Sequence, residues 1–138
     1  MKILIADDHN IMRNLLKRIV KENYPFAAIE EANNGEKLLQ KALEQNDWDI
    51  IISDISMPFL TGIEVAAKLE KTKTGIPIIL ISTHALKQHK MFAYLPKNIA
   101  GFIEKDELLN ELPAAMDLLI TKRNFTLTNK ELYLSIAH

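Results

Sequence analysis

The sequence predicts an α/β fold, a doubly wound five-stranded parallel sheet flanked by five helices. Three observations lead there. Short apolar runs, rich in β-branched residues, alternate along the chain with stretches whose apolar residues fall on one side of a helix. The run Ile50-Ile51-Ile52 is continuous, which suits a strand covered on both faces. Strands separated by helices must also be joined by right-handed crossovers, which place helices on both faces of a parallel sheet.

Lys2 to Ala6 (KILIA) is a buried strand that stops at Asp7-Asp8. Ile11, Met12, Leu15, Leu16, Ile19 and Val20 then trace a helical stripe. Tyr24-Pro25 ends it, because proline disfavours helix at the residue before it. Phe26 to Ala32 reads as a weaker strand closed by the turn Asn33-Asn34-Gly35. Leu38, Leu39, Ala42 and Leu43 mark a second helix, and Trp48, a packing residue, leads into the central strand that ends at Asp54. Beyond Pro58-Phe59-Leu60-Thr61-Gly62 a third helix runs through Ile63, Val65, Ala66 and Leu69. Lys71 to Gly75 is a polar loop, and Ile76 to Ile81 is a fourth strand ending at Ser82-Thr83-His84. A helix is expected from about Leu86 to Tyr94, stopped by Pro96. Ala100 to Glu104 is the fifth strand, and Asp106 can cap a last helix from Glu107 to about Lys122. Pro113 lies within that helix and would crowd the carbonyl of Leu109, so a kink or restart is expected there.

At 138 residues the chain is long enough for one domain with a substantial core. A net charge of −1, from 17 basic and 18 acidic residues, gives no global reason to bind nucleic acid or a membrane surface. The absence of cysteine excludes disulfides and thiolate metal sites. No apolar run approaches the roughly 20 residues that span a bilayer, and acids at positions 7 and 8 argue against a signal peptide. A soluble cytoplasmic protein is expected.

In a parallel sheet all strand ends lie at one edge, and here four of the five end in polar groups: Asp7-Asp8, Asp54, Ser82 and Lys105. Taken singly, an Asp or Ser after a strand could merely cap the next helix, and a lysine could merely be solvated. Taken together, three carboxylates in one crevice need a cation or a proton to coexist. An open, oxygen-only donor set favours Mg2+. An Asp beside such an ion is a nucleophile toward phosphorus, Lys105 can stabilise a transferring phosphoryl group, and Ser82 can donate to its oxygens. His84, lacking partners, is kept out of the site.

Asp7-Asp8, the run DISMPFLTG from Asp54, Ser82 five residues after Pro77, and GFIEK ending at Lys105 resemble the receiver domain of bacterial response regulators. The resemblance covers about residues 1 to 122 and implies a flavodoxin-like sheet of order 2-1-3-4-5. It implies that Asp54 accepts a phosphoryl group from a sensor histidine kinase or phosphotransfer protein. Asp7, Asp8, Asp54 and the backbone carbonyl of Ser56 would then hold Mg2+. Ser82 would be the switch hydroxyl, Lys105 the phosphate-pairing lysine, and Phe102 the aromatic that follows Ser82 inward. Plain core packing is the alternative for Phe102. No enzymatic turnover is expected beyond self-phosphorylation and autodephosphorylation.

Lys105 is followed by Asp106 and not by the proline common in many receivers, and this pair, with Asp-Asp-His at the start, looks more like the receivers that precede LuxR-type (NarL-type) DNA-binding domains. The segment Leu95 to Ala100 departs from the family pattern and is one residue long against it. Residues 123 to 138 read as a linker or C-terminal tail, with Leu127-Thr128 weakly resembling the opening of such a DNA-binding domain. Transcriptional output, a homodimer, and DNA contact only through a C-terminal domain outside these residues are the expected consequences. Two rivals stay open: a haloacid-dehalogenase-type phosphatase, disfavoured by Ser56 where that class carries a general-acid Asp, and a receiver-like module that is never phosphorylated.

Overall fold

The computed structural model describes residues 1–72, 74–83 and 95–122. Its five strands are β1 (Lys2–Ala6), β2 (Ala28–Ala32), β3 (Ile50–Asp54), β4 (Ile78–Ser82) and β5 (Ile99–Glu104). They form one sheet in the order β2-β1-β3-β4-β5, and all neighbours are parallel. The α-helices among the described residues are α1 (Asn10–Asn23), α2 (Gly35–Glu44), α3 (Gly62–Lys71) and α4 (Leu108–Lys122). The helix expected near Leu86 to Tyr94 lies outside the described residues, as do His84 and the whole 123–138 segment.

The two-residue period of the strands divides the core into two halves. Ile3, Ile5, Ile50, Ile52, Ile79 and Ile81 face α1 and α4, where Leu16, Ile19, Leu112 and Met116 meet them. Leu4, Ala6, Ile51, Ile78 and Leu80 face α2 and α3, against Leu38, Ala42, Val65 and Leu69. Both faces of β3 are therefore covered, which is why its apolar run is unbroken. β2 sits at an edge of the sheet and is partly exposed, with Glu30 and Glu31 in its middle, a composition that discourages edge-to-edge pairing.

Several boundaries differ from expectation for local reasons. β2 begins at Ala28 rather than Phe26, because Ala27 closes a turn onto the Tyr24 carbonyl and leaves Phe26 98% exposed. β4 begins at Ile78, not Ile76. Pro77 has no N–H for the ladder, although its carbonyl accepts from Ile51. β5 starts one residue early, at Ile99, and carries a register shift: Ile78 pairs with Ile99, but Ile79 pairs with Gly101. That bulge absorbs the extra residue noticed before the strand. It also reverses the strand's alternation, so that Ile99 and Phe102 join one core half while Ala100 and Ile103 join the other.

The last helix is entered through a 3-10 turn, Lys105–Glu107, so Asp106 lies inside that turn and α4 proper begins at Leu108. Of the kink or restart expected at Pro113, the restart does not occur, since α4 is assigned continuously from Leu108 to Lys122. Leu109, whose carbonyl loses its partner there, is itself exposed.

Candidate functional site

The chain turns back on itself between β1 and β3: β2 lies on one side of β1 and β3 on the other. This switch point opens a crevice at the carboxyl edge. Asp54, the last residue of β3, is buried there with 4% of its surface exposed. Asp7 and Asp8 follow the end of β1 across the crevice. One oxygen or ring nitrogen from each of Asp7, Asp8, His9 and Asp54 lies within 4.8 Å of all the others. Lys105, just past β5, places its Nζ 3.6 Å from Asp54 Oδ2. Its side chain crosses the intervening strand, β4, which ends in the small and buried Ser82.

The loop after Asp54 fixes the carboxylate from behind. Ser53 Oγ donates to the Asp54 carbonyl at 2.8 Å, and the Gly62 N–H donates to the Ile55 carbonyl at 2.8 Å. A Cβ on Gly62 would stand 2.6 Å from the Asp54 carbonyl oxygen, so only glycine lets α3 start this close to β3. Between them Leu60 N–H donates to the Pro58 carbonyl at 2.9 Å, and Phe59 adopts a φ of 72°. Together these define a γ-turn of the rare, positive-φ kind. Thr61 and Glu64 then form a reciprocal capping box at the start of α3. Asp54 is therefore not the cap of that helix.

Electrostatically the site is acidic and under-compensated. Burial, followed by the neighbouring Asp7 charge, pushes the Asp54 carboxyl above its ordinary range. The Lys105 ammonium and the N–H groups of Ser56 and Ile55 pull the other way without prevailing. Asp7 is fully buried. Its Oδ1 accepts the His9 N–H at 2.8 Å, while its Oδ2 has no hydrogen-bond partner among the described residues. Arg13 donates to the Asp7 carbonyl but not to this carboxylate oxygen. An orphaned carboxylate oxygen among further carboxylates is a donor set that fits a hard divalent cation.

The remaining candidate residues fall as follows. Ser82 lies one position past Ile81, the cross-strand neighbour of Asp54. Ser56 is exposed in the loop two residues after Asp54. Phe102 is half-buried on β5 and packs on the α2 and α3 face. Neither Asp7 nor Asp8 caps α1; that position belongs to His9, whose side chain makes no cap bond. The His9 ring turns back instead, with Nδ1 3.0 Å from Oδ1 of both Asp7 and Asp8. This residue was missed as a site member. The only signal was its place directly after two acids at a strand end.

A family model for the response regulator receiver domain matches residues 3–117. The chain belongs to that family. This receiver is 34% identical over 119 residues to the transcriptional regulatory protein YdfI of Bacillus subtilis (strain 168), covering 86% of the chain and 54% of YdfI. It is 30% identical over 118 residues to the chemotaxis protein CheY of Halobacterium salinarum, covering 86% of the chain and 92% of CheY. The receiver thus spans about half of YdfI and nearly all of CheY. Among solved structures, the response regulator TrrA of Thermotoga maritima, crystallised with Mg2+-BeF, shares the fold with a TM-score of 0.72. It is 30% identical, and the match covers 86% of this receiver and 97% of TrrA. TrrA has also been solved in complex with the histidine kinase ThkA. No described helix of this receiver is long and apolar enough to cross a membrane.

Proposed function

We propose that this receiver is a phosphorylation-controlled switch whose phosphoacceptor is Asp54. The observation that carries this reading is the convergence of a buried Asp54 with Asp7, Asp8 and the Lys105 ammonium at a single crevice. An Asp54 carboxylate oxygen attacks the phosphorus of a donor phosphohistidine, the P–N bond breaks, imidazole leaves, and an acyl phosphate remains on Asp54. Asp7, Asp8, Asp54 and the Ser56 carbonyl would hold Mg2+, the ion found with TrrA. When bound, Mg2+ supplies charge neutralisation for the transferring oxygens. Lys105 pairs with the added charge, Ser82 donates to a phosphoryl oxygen, and Phe102 repacks as Ser82 moves. Beyond its own phosphorylation and hydrolysis the chain carries out no turnover. Ser56, standing where a phosphatase of the same chemistry needs an acid, supports that statement.

The proposed donor is a sensor histidine kinase or phosphotransfer protein, and TrrA's complex with ThkA supports it. Exposed apolar residues follow β1, β3 and β5, namely Ile11, Phe59 and Leu109 at 85%, 74% and 69% exposure, and each is a candidate contact for that donor. The receiver is assigned to residues 1 to 122, with 123 to 138 as a linker or the start of an output domain. The output is transcription, as in the relatives named transcriptional regulators. DNA is contacted outside the receiver, dimerisation is a further output state, and the protein works in the cytoplasm.

Incubation with acetyl phosphate or phosphoramidate and Mg2+ is expected to add one phosphoryl group, about 80 Da, to the wild type and none to Asp54→Asn. An unchanged wild-type mass would overturn the proposal.

A further inference from the structure

We propose that His9 is itself a ligand of the divalent ion, so that this site carries one nitrogen donor beside its carboxylates. The inference rests on the metal-dependent reading above and extends it to which ions the site accepts. It begins with geometry. Bonds of about 2.0–2.1 Å at right angles put adjacent ligands of an octahedral ion about 3 Å apart and opposed ligands about 4.2 Å apart. His9 Nδ1 is 3.0 Å from Asp7 Oδ1 and 3.0 Å from Asp8 Oδ1, hydrogen-bonding distances without an ion that equal the adjacent-ligand spacing with one. All four donor residues fall within 4.8 Å, so modest closure completes one coordination sphere.

The position is also held in advance. The His9 backbone N–H is bonded to Asp7 Oδ1, and that bond ties the ring's starting point to the first carboxylate. His9 adopts an extended conformation before α1, and its ring points back into the crevice without capping the helix. Asp7 Oδ2, buried and unpartnered, shows that the ring alone does not satisfy this pair of acids.

Charge completes the argument. Lys105 compensates one of the three carboxylates, which leaves two negative charges. A dication neutralises both, and a neutral imidazole joins it without adding charge. Coordination through Nδ1 places the ring proton on Nε2, and any second proton leaves to solvent. Carboxylates alone select Mg2+, Ca2+ or Mn2+, whereas an imidazole raises affinity for Mn2+, Co2+ and Ni2+ in increasing measure, and for Zn2+ as well. The site would therefore bind Mn2+ and Co2+ more tightly than an oxygen-only site, with Mg2+ little affected.

The test uses Mn2+ as the probe. Pulsed EPR of the Mn2+-loaded full chain is expected to show 14N coupling from one imidazole, lost in His9→Ala. In parallel, Mn2+ affinity is expected to fall about tenfold in His9→Ala while Mg2+ affinity, read by competition, stays within about twofold. The His9 side chain is 67% exposed, so its removal leaves the core untouched. Mn2+ bound with no 14N coupling, or equally well by both proteins, overturns the His9 assignment and leaves the carboxylate site standing. Failure of Mn2+ and Mg2+ to bind at all overturns both.

Discussion

Asp54 carries its charge where burial and Asp7 oppose it, and the sign of that opposition can be tested. Its folded-state pKa is raised. The favourable, protonated form of the fold is therefore fully available below the unfolded carboxyl pKa of about 3.9 and is lost as pH rises through the higher folded value. At pH 7 in EDTA, Asp54→Asn should melt above wild type. The gap should close toward about pH 4. Thermal scans across that range check it, and a variant less stable at pH 7 would contradict it. Asp54 was legible because a lone acid ended an unbroken isoleucine run. His9 was not, because its involvement depends on a backbone conformation that turns the ring toward its own predecessors.

Within the β3–α3 connection, the sequence announced a turn at Pro58 but not its kind. A positive φ ordinarily calls for glycine or asparagine, and here it falls on an exposed phenylalanine. Phe59→Gly should gain up to about 1 kcal/mol of stability by relieving that backbone cost, read as a higher Tm with unchanged phosphorylation stoichiometry from acetyl phosphate. Gly62→Ala should lose roughly 1–3 kcal/mol, because its new methyl meets the Asp54 carbonyl and Leu80 Cδ2, 2.9 Å away. Denaturant titration measures both. In β5 the surplus residue was visible as a spacing irregularity, but its resolution into a bulge was not. A bulge depends on pairing with β4, and pairing is a property of two segments rather than one. Its effect is specific: it puts Phe102 on the α2 and α3 face, and an unbulged strand would have sent it to the other.

For the molecule as a whole, the alternation of strands and helices was readable throughout, because each element announces its own period. What had to be supplied by the fold was convergence. Residues 7, 54 and 105 meet only because β1, β3 and β5 end at the same edge. The same topology ties α1 to α4, where the Tyr24 hydroxyl donates to the Asp117 carboxylate. Under the function proposed above, a phosphoryl group on Asp54 would be felt at Lys105, at the 3-10 turn that carries it, and at α4 beyond. Lys105→Ala should still accept a phosphoryl group, but should lose most of the phosphorylation-dependent change in hydrogen exchange across β5 and α4. Exchange changes as large as in wild type would remove Lys105 from the relay.

The solitary Asp7 oxygen has a consequence outside signalling. A chain that buries an acceptor out of reach of every described donor has set part of its folding free energy by the composition of its surroundings. Resistance to proteolysis and thermal lifetime should then track the free divalent-ion concentration even when no donor of phosphate is present. Starving the protein of such ions would shorten its survival.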